Sequence, residues 1–109
     1  MDIDLEFMKI KKRIDDFTEF EYENIAEAEV FTNNFELLLL ELRNLIEEAL
    51  RAQNEALSIK ALTLLAENIG CADDMRIATH FITCMQDENL LSKKAYEAFY
   101  QNLNIGRWE

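Results

Sequence analysis

The stretch FELLLLELRNLIEEAL at residues 35–50 decides the fold of this chain. Its apolar side chains recur at spacings of three and four residues, which places them on one face of a helix. Leu37, Leu39 and Leu40 widen that face. A helix that is apolar over so much of its circumference is expected to contact partners on several sides. The stretch therefore predicts a helix in the middle of a bundle.

The composition of the whole chain agrees with a helical fold. The 109 residues include no proline, two glycines, one valine and fifteen leucines. This mixture lacks the turn residues and the β-branched density that are typical of sheets. The length suffices for one core and is short for two ordinary domains. We therefore expect an all-α protein, a single compact bundle of about five to six helices in one domain that spans residues 1–109.

Two further helices are expected before the leucine-rich stretch. The first has Asp2 or Asp4 as its N-cap. Its apolar stripe comprises Ile3, Phe7, Ile10, Ile14 and Phe17. Thr18 and Glu21 fit a capping box, so a break near residues 16–18 and a second helix to about residue 31 are predicted. Asn33, three residues before Glu36, is expected to begin the third helix.

The rest of the chain has its own start and stop signals. Polar residues at 51–54 predict a turn, although one long helix over residues 34–69 is an alternative. Gly70 is expected at the C′ position of the next helix. Asp73 or Asp74 then caps a helix that ends at residues 87–89. The last helix is expected to begin after Ser92 and to stop at Gly106, with Trp108 packed back on the bundle.

The net charge and the N-terminal sequence limit which partners and which cellular location are expected. The formal net charge is −11, which repels phosphate backbones and anionic lipid, so neither nucleic acid nor a membrane is an expected partner. Residues 15–41 hold nine acidic residues and no basic one. The N-terminus does not read as a secretory signal, and no apolar run is long enough for a membrane span. We expect a cytoplasmic protein whose Cys71 and Cys84 are reduced.

The residues offer little for catalysis or metal binding. His80 and Cys84 are four residues apart and share a helical face, but Ile77 and Phe81 lie on the same stripe. A hydrogen-bonded histidine at the margin of the core is the better interpretation. Cys71 would give zinc only a third ligand, where a structural site needs four. We therefore expect no enzyme, no metal and no cofactor.

The residues of most interest form an acidic cluster. If one helix continued through them, Asp16, Glu19, Glu23 and Glu27 would fall within an arc of about 80°. We call these four residues the acidic ridge. Like charges at these spacings repel by a few tenths of a kcal/mol per pair, unless Lys11, Lys12 or Arg13 folds back against them.

A cationic partner would gain from the ridge through charge-assisted bonds and steered association. Tyr22 lies away from the apolar stripe and is the expected anchor. The predicted partner-binding residues are Asp16, Glu19, Tyr22, Glu23 and Glu27. Two alternatives stay open: a merely solvated helical face, and a competing acidic surface made of Glu47, Glu48, Glu55 and Glu67.

Three segments carry a resemblance to a known group of proteins. They are LLLLELRNLIEEAL at 37–50, LSIKALTLLAENIG at 57–70, and SKKAYEAFYQNLNI at 92–105 followed by Trp108. The chain resembles the small acidic helical immunity proteins that bacteria pair with polymorphic toxins, such as MafI-type and CdiI-type immunity proteins. The resemblance implies a cytoplasmic protein that binds a cognate toxin domain, often a nuclease, and blocks its active site or substrate surface.

The sequence thus favours an acidic inhibitor that binds a basic protein. A nuclease is a suitable target, because its cleft is basic wherever it binds phosphate. A phage-encoded inhibitor of a host defence nuclease would have the same features. The alternative class is an oligomeric structural or regulatory adaptor, in which the apolar surface at 35–50 is shared between subunits.

Overall fold

The computed structural model of the chain describes residues 2–18, 25–70 and 72–103, apart from the side chains of residues 17–18, 25–28 and 31–32. These ranges contain five helices and no strand. The helices are α1 (Ile3–Thr18), α2 (Ile25–Arg51), α3 (Glu55–Glu67), α4 (Ala72–Asp87) and α5 (Lys93–Gln101). The predicted all-α class is confirmed, and five helices lie within the expected range. No helix among the described residues has the length and apolar character needed to cross a membrane.

The chain divides into two compact units, Met1–Leu45 and Ile46–Glu109, and the boundary falls inside α2. We refer to them as the N-terminal unit and the C-terminal unit. That both belong to one domain stays a prediction.

The N-terminal unit contains α1 and the first part of α2. Asp2 caps α1, because its Oδ1 accepts hydrogen bonds from the backbone N–H groups of Asp4, at 3.1 Å, and Leu5, at 3.4 Å. The predicted stripe of α1 is buried at Phe7, Ile10 and Ile14. The buried side chains of this part of α2 are Leu38, Leu39, Leu42 and Leu45.

The predicted start of a helix at Asn33 is wrong. α2 runs without interruption from Ile25 through Asn33 and Asn34, both of which are exposed. Asparagine costs less than about 0.7 kcal/mol relative to alanine inside a helix. With no glycine or proline nearby, that cost does not outweigh the packing of the leucines that follow. The proposed capping box ends at Glu21, which lies outside the described residues.

The predicted turn at 51–54 is confirmed, and the alternative of one helix over 34–69 is wrong. Asn54 is the N-cap of α3, and its side chain accepts a hydrogen bond from the backbone N–H of Leu57 at 3.2 Å. Its backbone carbonyl also accepts from the Ser58 hydroxyl at 2.8 Å, which satisfies the donor of a fully buried polar side chain.

The C-terminal unit packs α3 against α5. Ser92 caps α5 as predicted, with its hydroxyl oxygen accepting from the backbone N–H of Ala95 at 3.1 Å. α4 ends at Asp87, as expected. The largest fully buried apolar side chains of this unit are Ile46, Leu62, Leu65, Ile69, Ile82 and Phe99.

Several expected helix ends are corrected. α3 ends at Glu67 with Asn68 as its C-cap, and Gly70 does not have the positive φ of a C′ glycine. α5 ends at Gln101 with Asn102 as its C-cap, so it stops well before Gly106. In both cases an asparagine side chain donates to the carbonyl four residues earlier, Leu64 or Ala98, and supplies the partner that the last turn lacks. Gly106 and Trp108 themselves lie outside the described residues.

The start of α4 is also corrected. The helix begins at Ala72, so Asp73 and Asp74 lie within its first turn and neither is the cap. Carboxylates in a first turn still stabilise the helix, because they face the positive end of its dipole. Cys71, which precedes the helix, is outside the described residues.

Candidate protein-binding surface

Most of the predicted partner-binding residues fall where the structure is not described. α1 ends at Thr18 and α2 begins at Ile25, so Glu19, Tyr22 and Glu23 lie outside the described residues. The backbone of Glu27 is part of α2, but the side chain of Glu27 also lies outside the described residues. Asp16, in the last turn of α1, is exposed. The acidic ridge as a continuous surface therefore stays a prediction.

Three other acidic residues of the stretch 15–41 have described side chains on α2. Glu29 and Glu36 are exposed, and no lysine or arginine of the described residues forms an ion pair with either. Glu41 differs, because its Oε2 accepts from the Arg13 guanidinium at 2.7 Å. Arg13 of α1 thus neutralises one of the nine acidic residues between positions 15 and 41. Glu29 and Glu36 keep their charge open to solvent.

An apolar strip lies beside these carboxylates. The exposed fractions are 60% for Val30, 60% for Leu37 and 44% for Leu40. Spacings of seven and three residues place the three side chains within about 80° of one another around α2. We call Val30, Leu37 and Leu40 the α2 strip.

The α2 strip corrects one expectation of the sequence analysis. Leu39 is buried as expected, but Leu37 and Leu40 do not widen the buried face. A signal for this was present in the sequence. One and two turns further along, Leu37 shares its face with Glu41 and Asn44, both polar, whereas Leu38 shares its face with Leu42 and Leu45. The run of four leucines hid that difference.

The competing acidic surface is in part neutralised by the chain itself. Glu47 Oε2 accepts from Arg51 at 3.4 Å, and Glu88 Oε1 accepts from the same guanidinium at 3.0 Å. The hydrogen bond with Glu88, followed by its charge, raises the pKa of Arg51 above its ordinary value. Glu48 and Glu55 are exposed. Charge alone therefore favours Glu29 and Glu36 over Glu47 as contacts for an external cation.

His80 and Cys84 share a face of α4, as expected, with Nε2 and Sγ 3.7 Å apart. The expected place of His80 at the margin of the core is wrong, because the side chain is exposed. The buried side chains of α4 are Ala78, Ile82 and Met85, and their spacing leaves position 80 on the opposite side of the helix. In the described part of the chain, no three His, Cys, Asp or Glu side chains are grouped to hold a metal ion.

A cleft of about 240 Å³ opens in the C-terminal unit, between the α2–α3 turn and the connection from α4 to α5. Its lining residues are Leu50, Arg51, Gln53, Glu55, Ser58, Asn89, Leu90 and Ser92. Pockets for small-molecule ligands usually measure about 300–1,000 Å³. Because this cleft is smaller and its arginine is bound to Glu47 and Glu88, we do not place the functional site there.

Comparisons with known proteins add no relative from which a site can be transferred. The chain matches no family model, no curated protein and no solved structure. The functional conclusion therefore depends on the chemistry of the surface alone.

Proposed function

We propose that this protein is a non-catalytic inhibitor that binds a basic protein, and specifically an immunity protein that neutralises a nuclease toxin by covering its active site or substrate surface. One observation carries the proposal. Residues 15–41 hold nine acidic residues without a basic one, and the described carboxylates of Glu29 and Glu36 have no cation from the described part of the chain. An uncompensated charge of this kind lowers helix stability and is explained by a partner that supplies the cations.

The electrostatics of nucleases fit this surface. An enzyme that binds a phosphate backbone needs lysines and arginines in its cleft, and those side chains remain when the nucleic acid is absent. An acidic helix can take the place of the phosphates. Such complementarity mainly raises the association rate constant, and this increase becomes smaller as salt screens the charges. A location in the cytoplasm, where the toxin would act, is part of the proposal.

The test uses the protein encoded immediately upstream of this chain. Its C-terminal domain is purified and assayed for nuclease activity with and without the inhibitor. We expect a heterodimer by light scattering and loss of nuclease activity at equimolar inhibitor. The double variant Glu29→Lys, Glu36→Lys should slow association about tenfold at low salt and flatten its salt dependence.

A variant of equal charge serves as the control. Asp87→Lys, Glu97→Lys changes the net charge by the same amount in the C-terminal unit and should leave the association rate nearly unchanged. Equal effects of the two double variants would show that net charge matters and the location does not. Undiminished nuclease activity at excess inhibitor would contradict the proposed function.

The acidic ridge has its own variant, Glu19→Lys, Glu23→Lys, Glu27→Lys. If the ridge contacts the nuclease, this triple change should slow association further than the change at Glu29 and Glu36, with the helical content unchanged by circular dichroism. The adaptor hypothesis predicts instead a stable homo-oligomer in the absence of any partner, which the same light-scattering measurement detects.

A further inference from the structure

The outward face of α2 combines apolar and acidic side chains in an ordered way. The α2 strip runs from Val30 to Leu40, which is about 15 Å along the helix axis. At 100° per residue, Glu29 and Glu36 lie on one edge of the strip and Glu41 lies on the other. Between Val30 and Leu40 the same arc also holds the exposed Asn33, so three of its four positions are apolar. A solvated helical face would be polar at most of these positions.

From this arrangement we infer that the α2 strip is the binding site for a basic amphipathic helix of the partner. Apolar side chains of that helix, spaced three and four residues apart, cover Val30, Leu37 and Leu40. Lysines or arginines on one flank of that helix meet Glu29 and Glu36, whereas Glu41 on the other edge is already bound to Arg13. This is recognition of an amphipathic helix through its apolar face, with the apolar contacts giving affinity and the charges of Glu29 and Glu36 fixing orientation. The inference rests on the proposed function in one respect, the basic character of the partner.

A second copy of this chain fits the strip less well. Two α2 faces brought together would place Glu29 and Glu36 of one copy against acids of the other. The basic residues of α1 could supply few cations to the acids of the other copy, because Arg13 is bound to Glu41, and Lys9 lies 3.7 Å from Glu6. Only Lys11 and Lys12 of α1 then remain to face the acids, and the net charge of −11 on each copy opposes the approach.

An anionic membrane surface fits less well still. Helices that lie on such membranes carry lysine and arginine beside their apolar face, because the lipid headgroups are negative. The edges of the α2 strip carry glutamates instead. The charges of Glu29 and Glu36, which form no ion pair with the described residues, thus select a cationic protein segment as the occupant.

The test uses two synthetic fluorescent peptides, each about five helical turns long. One has leucines at helical spacing among lysines, and in the other every leucine is replaced by serine. We expect the leucine–lysine peptide to bind in a fluorescence anisotropy titration. The variant Leu37→Ser, Leu40→Ser should weaken that binding about tenfold or more, since two apolar side chains lose their buried contacts.

Ile77→Ser is the matched control, because Ile77 on α4 is 45% exposed and lies outside the strip. It should leave the affinity within about twofold, as expected of a surface substitution away from the contact. All three substituted positions are exposed, so the variants should fold as the parent does, which circular dichroism verifies.

The outcomes separate this inference from the proposed function. If both peptides bind equally and the leucine variant binds like the parent, the α2 strip is not the binding site, although binding of a basic partner is still supported. If neither peptide binds but the upstream nuclease is inhibited, the binding site at the strip is likewise contradicted. If the nuclease is not inhibited but the leucine variant selectively loses the leucine–lysine peptide, the binding site is supported and the proposed function is contradicted. A homodimer that Leu37→Ser, Leu40→Ser dissociates would overturn the inference in favour of a second copy.

Discussion

Two residues with left-handed backbone close the helices that precede turns in the C-terminal unit. They are Gln53, with φ 57°, and Asn89, with φ 58°. After α2, the N–H of Gln53 donates to the Leu50 carbonyl and that of Asn54 donates to the Ala49 carbonyl. After α4, the N–H groups of Asn89 and Leu90 donate to the carbonyls of Gln86 and Met85 in the same pattern. Both ends are therefore Schellman motifs without a glycine.

The left-handed position in such a motif costs a glutamine more than an asparagine. A side chain with a Cβ pays about 1–2 kcal/mol there, and asparagine tolerates the conformation better than most residues. We therefore predict that Gln53→Gly raises the free energy of unfolding by about 0.5–1 kcal/mol, after allowance for the greater freedom of glycine in the unfolded chain. Urea denaturation followed by circular dichroism measures the change.

Asn89→Gly is the matched comparison at the equivalent position after α4. Its gain should be clearly smaller than that of Gln53→Gly. A loss of stability in Gln53→Gly would mean that the glutamine side chain makes a contribution larger than the strain it carries.

At the scale of whole helices, α5 shows how packing changes the chemistry of a side chain. Phe99 is fully buried, and Tyr100 beside it is half-buried. The ring centroid of Tyr100 lies 4.7 Å from that of Tyr96 and 5.0 Å from that of Phe99. Burial, and then the charge of Tyr96, raises the pKa of the Tyr100 phenol, while a hydrogen bond with Thr79 of α4 opposes the shift.

This shift predicts a loss of stability in alkali. The unfolded phenol ionises near pH 10, whereas the folded one keeps its proton to a higher pH. The unfolded state then binds fewer protons, so the free energy of unfolding falls as the pH rises from the unfolded pKa through the folded one. Tyr100→Phe removes the contribution of this phenol to the pH dependence. The free energy of unfolding of the variant should therefore fall less steeply than that of the parent above pH 10.

Thermal denaturation of both proteins at neutral pH and across the alkaline range tests the prediction. The titrating groups away from this ring pair are common to the two proteins, so the difference between their curves reports on Tyr100 together with its coupling to Tyr96. Parallel curves above pH 10 would contradict the assigned cause.

At the scale of the whole molecule, the dominant quantity is the net charge of −11. Much of it is concentrated in residues 15–41, where like charges repel without a base among them. We predict that the melting temperature rises when sodium chloride is added, because salt screens this repulsion. The exposed ion pair of Arg13 with Glu41 is weakened by the same salt, but such pairs contribute at most about 1 kcal/mol.

Removing charge from α2 should reduce the effect. The variant Glu29→Gln, Glu36→Gln is expected to melt at a higher temperature in low salt and to gain less from added salt than the parent. Calorimetry at several ionic strengths provides the measurement. A melting temperature that decreases with salt would show that attraction, and not repulsion, dominates the electrostatics of the folded chain.

The sequence by itself determined the helical class, the burial of Phe7, Ile10 and Ile14 on α1 and the cap at Ser92, and it favoured the turn at 51–54 over one helix across 34–69. These features are local: they follow from the spacing of apolar residues and from side chains that bond to backbone groups a few positions away. It also determined where the negative charge is concentrated, because charge is a property of composition.

Tertiary structure decided that α2 continues through Asn33 and that Arg13 neutralises Glu41. It also decided which leucines are buried, for which the polar neighbours of Leu37 gave only a local signal. Each of these outcomes depends on a neighbour distant along the chain or on competition among weak local preferences. Helix propensities differ by a few tenths of a kcal/mol, whereas burying a leucine is worth about 1.5–3 kcal/mol, so packing overrides the local signal where the two disagree. The exposure of Val30, Leu37 and Leu40 is a result of that packing.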